Sequence, residues 1–236
     1  MTSRSALPYL FLDAGNTVVF LDTAAVAQVV SSRGHPIDAA SLSRVEGEAK
    51  RRYEAFLASG ESHEEGWGLY LRTLMTAAGL DAALAAAMVP ELRAAHDEFN
   101  LWRRVPEALP GALSRWRAAG GRVSIISNSE GMLPQLFARV GLAEHFEHIV
   151  DSHLEGVRKP DRALFELALQ RADVAAAQSV YLGDLPDVDV AGAQNAGMSA
   201  VLIDPYGFYP EHDASPRMGS VAEWIDDTLS ARVSGS

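Results

Sequence analysis

Four short polar stretches of the sequence carry side chains whose types could do chemistry. They are DAGNT at 13–17, SN at 127–128, RKPD at 158–161 and GDLPDVD at 183–189. The first is the sharpest case, because the apolar run YLFL ends directly on Asp13, and a buried strand gains nothing by ending on a carboxylate. Taken singly, each stretch also fits a structural role, such as a turn or a capped helix start. Their meaning therefore depends on the elements that position them.

Strand and helix patterns alternate along the chain from Pro106 onward. Apolar runs rich in β-formers occur in RVSIIS, FEHIVDS, SVYLG and SAVLI, and helical patterns such as ALPGALSRWRAAGG and DRALFELALQRADV accompany them. This alternation predicts a mostly parallel sheet with helices on both faces. With the first apolar run, at 7–13, it predicts an α/β fold with a doubly wound, Rossmann-like core.

The segment between those parts has a helical character instead. Apolar residues recur in it at helical spacing, as Val45, Ala49 and Tyr53 do, and no strand signal interrupts it. We expect a break in its last helix near Pro90, because proline lacks the backbone N–H that a helix needs. The predicted division is a discontinuous α/β core at 1–21 and 105–236 and a helical insertion at 22–104.

The carboxyl ends of the strands are where ligands bind in doubly wound folds. Three of the four polar stretches directly follow a predicted strand, and RKPD comes shortly after the strand pattern FEHIVDS. We therefore expect all four stretches to meet at one edge of the sheet.

The composition excludes several classes of function. No cysteine occurs among the 236 residues, which rules out disulfides, zinc–thiolate sites and thiol nucleophiles. The formal net charge of −11 argues against nucleic acid or an anionic membrane as a partner. The apolar run near the N-terminus is interrupted too soon for a signal peptide, and no segment is long enough to span a bilayer. We therefore expect a cytoplasmic protein.

The same charge balance draws attention to Lys159. An acidic exterior repels a phosphorylated substrate, so an anion site in this chain needs a local positive pocket. Only two lysines occur, Lys50 and Lys159, against eighteen arginines. A lysine retained in RKPD is consistent with a need for a compact point charge at that position.

Together and in this order, the four stretches resemble the motifs of the haloacid dehalogenase-like (HAD) hydrolase superfamily. The resemblance covers residues 7–21 and 106–205, and GDLPDVDVAGAQNAGM is its most specific part. It implies a Rossmann-like core of the HAD type. It also implies that the helical insertion at 22–104 is an α-helical cap, as in members of the helical-cap type (subfamily I).

The resemblance implies a role for each polar residue near the strand ends. Asp13 aligns with the nucleophile, whose carboxylate attacks a phosphoryl group or an activated carbon and forms an acyl intermediate that water opens. Thr17 supports the loop that follows it by hydrogen bonding and helps to bind phosphate. Ser127 and Asn128 bind oxygens of the transferring phosphoryl group. Lys159 stabilises the nucleophile and the transferred group.

The resemblance also implies a magnesium site. Its ligands are the carboxylates of Asp13, Asp184 and Asp189 and the backbone carbonyl of Gly15. Such oxygens, with retained waters and a substrate phosphate, make an ordinary Mg²⁺ site. The cation also lets the Asp13 carboxylate approach an anionic phosphate. The alternative for the later aspartates, with Asp187 between them, is a capped and solvated turn before the next helix.

One position departs from the phosphatase pattern. Phosphatases of this superfamily usually read D-x-D at the first motif, and the second aspartate protonates the leaving alcohol and then activates water. Gly15 occupies that position here, so the chain lacks a general acid/base that contributes about 10²–10⁴-fold in rate. A phosphatase with this motif either acts on good leaving groups or takes an acid from the cap. The conceivable donors there are His35, His63, Glu64 and Glu65.

Two further interpretations follow from Gly15. C–halogen and C–P hydrolases of the superfamily also lack the second aspartate, but the dehalogenases do not normally keep the GD…D pair. The phosphonate enzymes form a Schiff base on a cap lysine. Lys50 is the only lysine of the insertion, and its spacing favours an ion pair with Glu46, like that between Glu48 and Arg52. The chain could also be a binding or regulatory protein of low turnover on a hydrolase scaffold.

Of these interpretations, the phosphatase is favoured by the motif residues that the chain retains, which are Asp13, Ser127, Lys159, Asp184 and Asp189. We therefore expect a Mg²⁺-dependent phosphatase of a small phosphorylated metabolite, acting through an aspartyl-phosphate on Asp13. The sequence names neither the substrate nor the oligomeric state.

Overall fold

The structure of the protein is a computed structural model, and it describes residues 6–59 and 63–234. The chain divides into two compact units: Met1–Phe20 with Val105–Ser236, and Leu21–Arg104. The division differs from the one predicted from the sequence by one residue, because Leu21 falls in the second unit.

The described residues contain eight strands and ten α-helices. The strands are β1 (Tyr9–Leu12), β2 (Phe20–Leu21), β3 (Trp102–Arg104), β4 (Val123–Ser127), β5 (Ile149–Asp151), β6 (Ser179–Gly183), β7 (Ser199–Ile203) and β8 (Arg217–Met218). The helices are α1 (Thr23–Ser32), α2 (Ala39–Ala58), α3 (His63–Ala77), α4 (Ala82–Glu98), α5 (Ala108–Ala118), α6 (Leu133–Arg139), α7 (Ser152–Glu155), α8 (Arg162–Ala172), α9 (Ala191–Asn195) and α10 (Val221–Ser234).

The first unit is built on a six-stranded parallel sheet in the order β5-β4-β1-β6-β7-β8. The three central strands are buried along their whole length, which is why they read as continuous apolar runs in the sequence. β1 pairs with β4 on one side and β6 on the other, so that Phe11 lies opposite both Ser124 and Tyr181. This parallel sheet and its flanking helices confirm the predicted α/β fold with a Rossmann-like core.

Most of the second unit is helical. Its helices α1–α4 enclose an apolar cluster that includes Val26, Leu42, Leu71 and Leu92. The predicted break near Pro90 is wrong, because α4 runs through that residue from Ala82 to Glu98. Buried side chains recur on this helix at Ala85, Met88 and Leu92, and their packing outweighs the loss of one backbone hydrogen bond.

Three of the short elements, β3, β8 and α7, are not indicated by the sequence patterns. β2 and β3 form a separate two-stranded sheet, although the segment that contains β3 carries no strand signal. β8 has two residues and α7 has four, and both are too short to display a hydrophobic period. No helix in the part of the chain that the structure describes is both long enough and apolar enough to cross a membrane.

Candidate active site

The polar stretches of the first unit meet where its central strands end. Asp13 directly follows β1, Ser127 is the last residue of β4, and Asp184 directly follows β6. Because β1 pairs in parallel with both neighbours, these three strand ends lie side by side. Lys159 reaches the same place from the connection between α7 and α8, and its side chain contacts Asp13.

The loop after Asp13 is a tight turn that returns to the sheet. The amides of Val18 and Val19 donate to the carbonyl of Ala14, each at 2.9 Å, and the amide of Asn16 donates to the carbonyl of Val19 at 2.8 Å. Asn16 has a φ of 54°, a left-handed conformation that asparagine adopts more readily than most residues. Gly15 forms an isolated bridge with Val19. The turn fixes the backbone that carries Asp13.

Lys159 is the central residue of a buried hydrogen-bond network. Its Nζ atom lies 2.5 Å from Asp13 Oδ1, 2.7 Å from Asp189 Oδ1 and 2.7 Å from the hydroxyl of Tyr181. The residue is only 4% exposed. Burial by itself lowers the pKa of Lys159, but the charges of Asp13 and Asp189 outweigh burial and raise the pKa above its usual range. The side chain is therefore an ammonium that faces two carboxylates.

Asp13 is buried beside one cation and one further anion. Burial raises the pKa of its carboxyl group, Lys159 lowers it and Asp189 raises it, with a net shift upward. The Ser127 side chain also bonds to the carboxyl group of Asp13. Asp13 therefore lies against the two groups that the resemblance assigns to phosphoryl binding and charge stabilisation.

Asp189 ties the end of β6 to Lys159. Its Oδ2 atom accepts the backbone N–H groups of Asp184 and Leu185, each at 3.0 Å, while its Oδ1 atom faces Lys159. The side chain lies so close over Gly183 that a Cβ atom there would be 2.5 Å from Asp189 Cγ. The glycine of the GD pair is thus a requirement of this packing. Asp187, between the two aspartates, is exposed and outside the network.

Three carboxylates could hold a cation together. Oxygen atoms of Asp13, Asp184 and Asp189 lie within 4.8 Å of one another, and all three residues are buried. They carry a formal charge of −3, against +1 from Lys159. A set of hard oxygen donors with this excess of negative charge fits Mg²⁺, which prefers carboxylate and water oxygens. The predicted fourth ligand, the carbonyl of Gly15, belongs to the turn directly after Asp13.

Asn128 has a different set of partners from the one expected of a phosphate ligand. Its Nδ2 atom donates to the Lys159 carbonyl at 3.0 Å, and its Oδ1 atom accepts the Lys159 backbone N–H at 2.8 Å. This pair of bonds fixes the main chain beside the ammonium. The next residues are bound to the end of β5 and the start of α7, because the Gly131 amide donates to Asp151 Oδ2 at 3.0 Å and the Ser129 amide donates to Ser152 Oγ at 3.1 Å.

Thr17 is buried, but its expected hydrogen bond is not made. Its Oγ1 atom has no hydrogen-bond partner among the described residues. Tyr181 is the site residue that we did not predict, since a tyrosine within an apolar strand run is indistinguishable from an ordinary core residue. The close approach of its hydroxyl to Lys159 depends on two segments of the chain folding together.

The side chains considered as replacement acids all belong to the second unit. Those of His63 and Glu64 lie outside what the structure describes, while His35 is half-buried and Glu65 is exposed. Lys50 is buried and pairs with Glu54, one helical turn further along α2, and the predicted pair of Glu48 and Arg52 is present at 3.2 Å. Glu46, the partner expected for Lys50, accepts a hydrogen bond from the Tyr70 hydroxyl at 3.3 Å.

Comparison with known protein families identifies the family of the chain that carries this site. A model of the haloacid dehalogenase-like hydrolase family matches residues 9–197, which is most of the chain. The chain belongs to this family. It is therefore a HAD-like hydrolase, and the predicted superfamily and the prediction of an enzyme are confirmed.

Curated relatives of this HAD-like hydrolase include named phosphatases. It is 28% identical over 212 residues to haloacid dehalogenase-like hydrolase domain-containing protein 3 of Bos taurus, covering 86% of this chain and 84% of the relative. Glyceraldehyde 3-phosphate phosphatase of Methanothermobacter thermautotrophicus is 32% identical over 131 residues, 55% of this chain and 58% of the relative. Phosphoserine phosphatase of Thermus thermophilus is 37% identical over 122 residues, 50% and 48% of the two chains.

Solved structures show the same fold at lower identity. A HAD-hydrolase of Bacillus subtilis, YfnB, bound to magnesium, has a TM-score of 0.71 at 18% identity and covers 94% of this chain and 98% of its own. A 2-haloacid dehalogenase of Pseudomonas syringae has a TM-score of 0.59 at 22% identity, over 94% and 97% of the two chains. The fold of this HAD-like hydrolase is thus shared by enzymes of more than one activity.

Proposed function

We propose that this HAD-like hydrolase is a Mg²⁺-dependent phosphatase of a small phosphorylated metabolite, with Asp13 as the nucleophile. The observation that carries the proposal is the contact of Lys159 with Asp13 beside the cluster of Asp13, Asp184 and Asp189. The phosphatase names of two relatives support the same class of reaction.

Asp13 begins the proposed reaction. One of its carboxylate oxygens forms a bond to phosphorus while the bond from phosphorus to the leaving oxygen breaks, which gives an aspartyl-phosphate. Water then attacks this acyl phosphate, releases inorganic phosphate and restores Asp13. Lys159 and Ser127 lie against the Asp13 carboxyl group, so that both are placed to stabilise the oxygens of the transferring phosphoryl group.

The divalent cation supplies charge neutralisation between the anionic substrate and the Asp13 carboxylate when it is bound. Asp13 and Asp184 would hold it, with the carbonyl of Gly15. Asp189 has its Oδ2 atom occupied by two backbone N–H groups and its Oδ1 atom by Lys159. We therefore assign Asp189 the task of orienting Asp184 and Lys159, together with at most a secondary part in holding the cation.

Two of the predicted phosphate ligands take different parts in the proposal. Asn128 uses both ends of its side-chain amide on the main chain of Lys159, so we assign it the positioning of that residue. Thr17 has a buried hydroxyl without a partner in the described part of the chain, which is consistent with a hydrogen bond to a bound phosphoryl oxygen.

Gly15 limits the substrates that such a site hydrolyses well. With no carboxylic acid at this position, the leaving oxygen has to depart as an anion or take its proton from another source. Substrates whose leaving groups are stable anions, such as acyl and aryl phosphates, should therefore react faster than alkyl phosphates.

A turnover screen tests the proposed function. Phosphomonoesters, acyl phosphates, phosphonoacetaldehyde and 2-haloacids are offered with Mg²⁺ and with a chelator. We expect phosphate release that requires Mg²⁺. Turnover of haloacids without metal would contradict the proposal and favour a dehalogenase, and turnover of phosphonoacetaldehyde alone would favour a C–P hydrolase. Absence of all turnover would favour a binding protein on the same scaffold.

The GDLPDVD stretch provides matched variants for this screen. Asp184→Asn should abolish Mg²⁺-dependent turnover, because it removes one charge of the cation cluster. Asp187→Asn changes an exposed aspartate three residues away and should leave turnover unchanged. Equal effects of the two substitutions would contradict the proposed cation site.

A further inference from the structure

The ammonium group of Lys159 has three N–H bonds, and each has an acceptor. Two acceptors are the carboxylates of Asp13 and Asp189, and the third is the hydroxyl of Tyr181 at 2.7 Å. Both carboxylates have a part in the proposed chemistry. The tyrosine is the remaining partner in this set and the one that carries no charge.

We propose that Tyr181 is a positioning residue for the reaction at Asp13: its hydroxyl accepts one N–H of Lys159 and holds the ammonium where it contacts both Asp13 and Asp189. This inference rests on the proposed phosphatase function and adds a residue to that same site. Tyr181 acts through Lys159, and it is not a group that touches the substrate.

The hydroxyl of Tyr181 is oriented for this task. Its single hydrogen has two acceptors within reach, the backbone carbonyl of Ile126 on β4 at 2.9 Å and Asp189 Oδ1 at 3.2 Å. Donation to either acceptor leaves the oxygen lone pairs for an N–H of Lys159.

The ring of Tyr181 is as fixed as its hydroxyl. The residue is fully buried on β6, between β1 and β7, and belongs to an apolar cluster of the first unit. Phe165 of α8 packs edge-on against the ring, with centroids 5.4 Å apart and an interplanar angle of 77°. The position of the hydroxyl is therefore set by the sheet and not by a mobile loop.

Loss of the hydroxyl would leave a buried N–H of Lys159 without an acceptor. An unsatisfied donor on a buried charged group is costly, so the ammonium would shift toward the two carboxylates or admit water. Either response moves the positive charge away from the place where it stabilises the transferring phosphoryl group. Misplacement of a catalytic charge lowers kcat, whereas binding of the substrate in its ground state depends on it less.

The experiment compares two tyrosine-to-phenylalanine variants of the full-length protein. Tyr181→Phe should lower kcat by about tenfold to a hundredfold, while KM changes by less than about threefold. Tyr9→Phe is the matched control, because Tyr9 is also buried on a central strand and its hydroxyl bonds to Ser124 at 2.6 Å, away from the site. Equal kcat values for the two folded variants would overturn the inference.

A spectroscopic measurement tests the contact without any substrate. Protein labelled with ¹⁵N-lysine contains two labelled ammonium groups, those of Lys50 and Lys159, and Lys50→Arg assigns them. The Lys159 signal should shift in Tyr181→Phe and stay unchanged in Tyr9→Phe. An unchanged Lys159 signal in Tyr181→Phe would overturn the inference.

These two measurements separate the inference from the proposed function. A wild-type protein that hydrolyses no phosphate ester would contradict the proposed function, while a shifted Lys159 signal would still support the contact with Tyr181. If Tyr181→Phe does not fold, Tyr181→Met, which also lacks the hydroxyl but adapts more easily to the core, serves in both measurements. The expected and the contradicting results are the same for either variant.

Discussion

The two lysines of this chain are both buried, but they are held in different ways. Lys50 lies in the helical unit and pairs with Glu54, which is four residues further along the same helix. Lys159 lies at the carboxyl ends of the central strands and contacts Asp13, Tyr181 and Asp189, which are 146, 22 and 30 residues away in sequence. The ion pair of Lys50 with Glu54 joins residues one helical turn apart, whereas the contacts of Lys159 require the folded sheet.

This difference separates a structural charge from a functional one. A buried lysine that pairs with a carboxylate one turn along its own helix contributes to the stability of that helix. A buried lysine whose contacts come from distant segments of the chain needs a further reason, because burying a charge is costly unless it is fully compensated. The proposed chemistry at Asp13 supplies that reason.

Parallel substitutions of the two lysines should have the largest effect. Lys159→Met should lower kcat by at least about a thousandfold, because it removes the positive charge beside the nucleophile. Lys50→Met should leave kcat within about threefold of wild type and lower the free energy of unfolding by about 3 kcal/mol, because it leaves the partly buried carboxylate of Glu54 without this cation. Steady-state kinetics and chemical denaturation measure the two effects.

The opposite pattern would contradict the assignment of a functional role to Lys159 and a structural role to Lys50. If Lys50→Met abolishes turnover and Lys159→Met does not, the catalytic lysine is in the helical unit. Turnover of phosphonoacetaldehyde by the wild type would then identify a C–P hydrolase that forms a Schiff base.

A glycine pair tests how tightly the site network is packed. Gly183→Ala places a methyl group against Asp189 Cγ, so it should displace this carboxylate from Lys159 and lower kcat by about a hundredfold. Gly68→Ala, in the helical unit, adds a methyl group whose nearest neighbour is the end of the Arg72 side chain at 3.4 Å, and kcat should not change. Normal kcat in Gly183→Ala would show that the position of Asp189 is not critical.

Gly15→Asp tests the missing acid directly. It restores a carboxyl group at the second position of the first motif, and hydrolysis of alkyl phosphates should rise about tenfold or more, because alkoxide departure then receives a proton. Rates for aryl phosphates should change much less. An unchanged or lower rate for alkyl phosphates would mean that another group already supplies the proton, or that the loop cannot hold a second carboxylate productively.

The smallest expected effect concerns Asp204 of the first unit, whose charge has a structural role, as that of Lys50 has in the second unit. Asp204 accepts hydrogen bonds from the backbone N–H groups of Phe208 and Tyr209, and it forms an ion pair with Arg217 at 3.0 Å. Burial by itself raises the pKa of Asp204, but these partners outweigh burial and lower it. The stabilisation is therefore present above the usual pKa of about 4 and is lost as the pH falls through the lowered pKa.

Asp204→Asn should accordingly lower the melting temperature at neutral pH by about 2–5 °C, with little change in kcat. The difference from wild type should shrink as the pH is lowered below about 4, because the unfolded chain then binds a proton at Asp204, and it should vanish once the pH has fallen through the lowered pKa of the folded carboxylate. Asp226→Asn is the control, since Asp226 pairs with Arg115 on the exposed surface and should contribute little. A difference between wild type and Asp204→Asn that is constant with pH would contradict this interpretation.

Most of the core could be predicted from the sequence because its signals are local. The central strands are uniformly buried, so they appear as apolar runs, and the polar stretches mark where those runs end. The continuation of α4 through Pro90 could not be predicted, because it depends on packing against other helices. The short strands β3 and β8 could not be predicted either, because they are too short for a periodic pattern.

The site was predictable in its residue types and less so in its contacts. Asp13, Lys159 and Asp189 stand at motif positions, and the structure brings them together. The attachment of Asn128 to the main chain of Lys159 has no signal in the sequence, because asparagine after a strand is usual in turns. The contact of Tyr181 depends on which face of β6 it occupies relative to a distant loop.

Trapping the phosphorylated enzyme tests the proposed nucleophile most directly. The protein is mixed with Mg²⁺ and a substrate that it turns over, quenched in acid and digested, and its peptides are weighed by mass spectrometry. We expect one phosphoryl group on the peptide that contains Asp13, and none in Asp13→Asn or without Mg²⁺. Continued phosphate release by Asp13→Asn, or a phosphoryl group on a different residue, would contradict the assignment of Asp13 as the nucleophile.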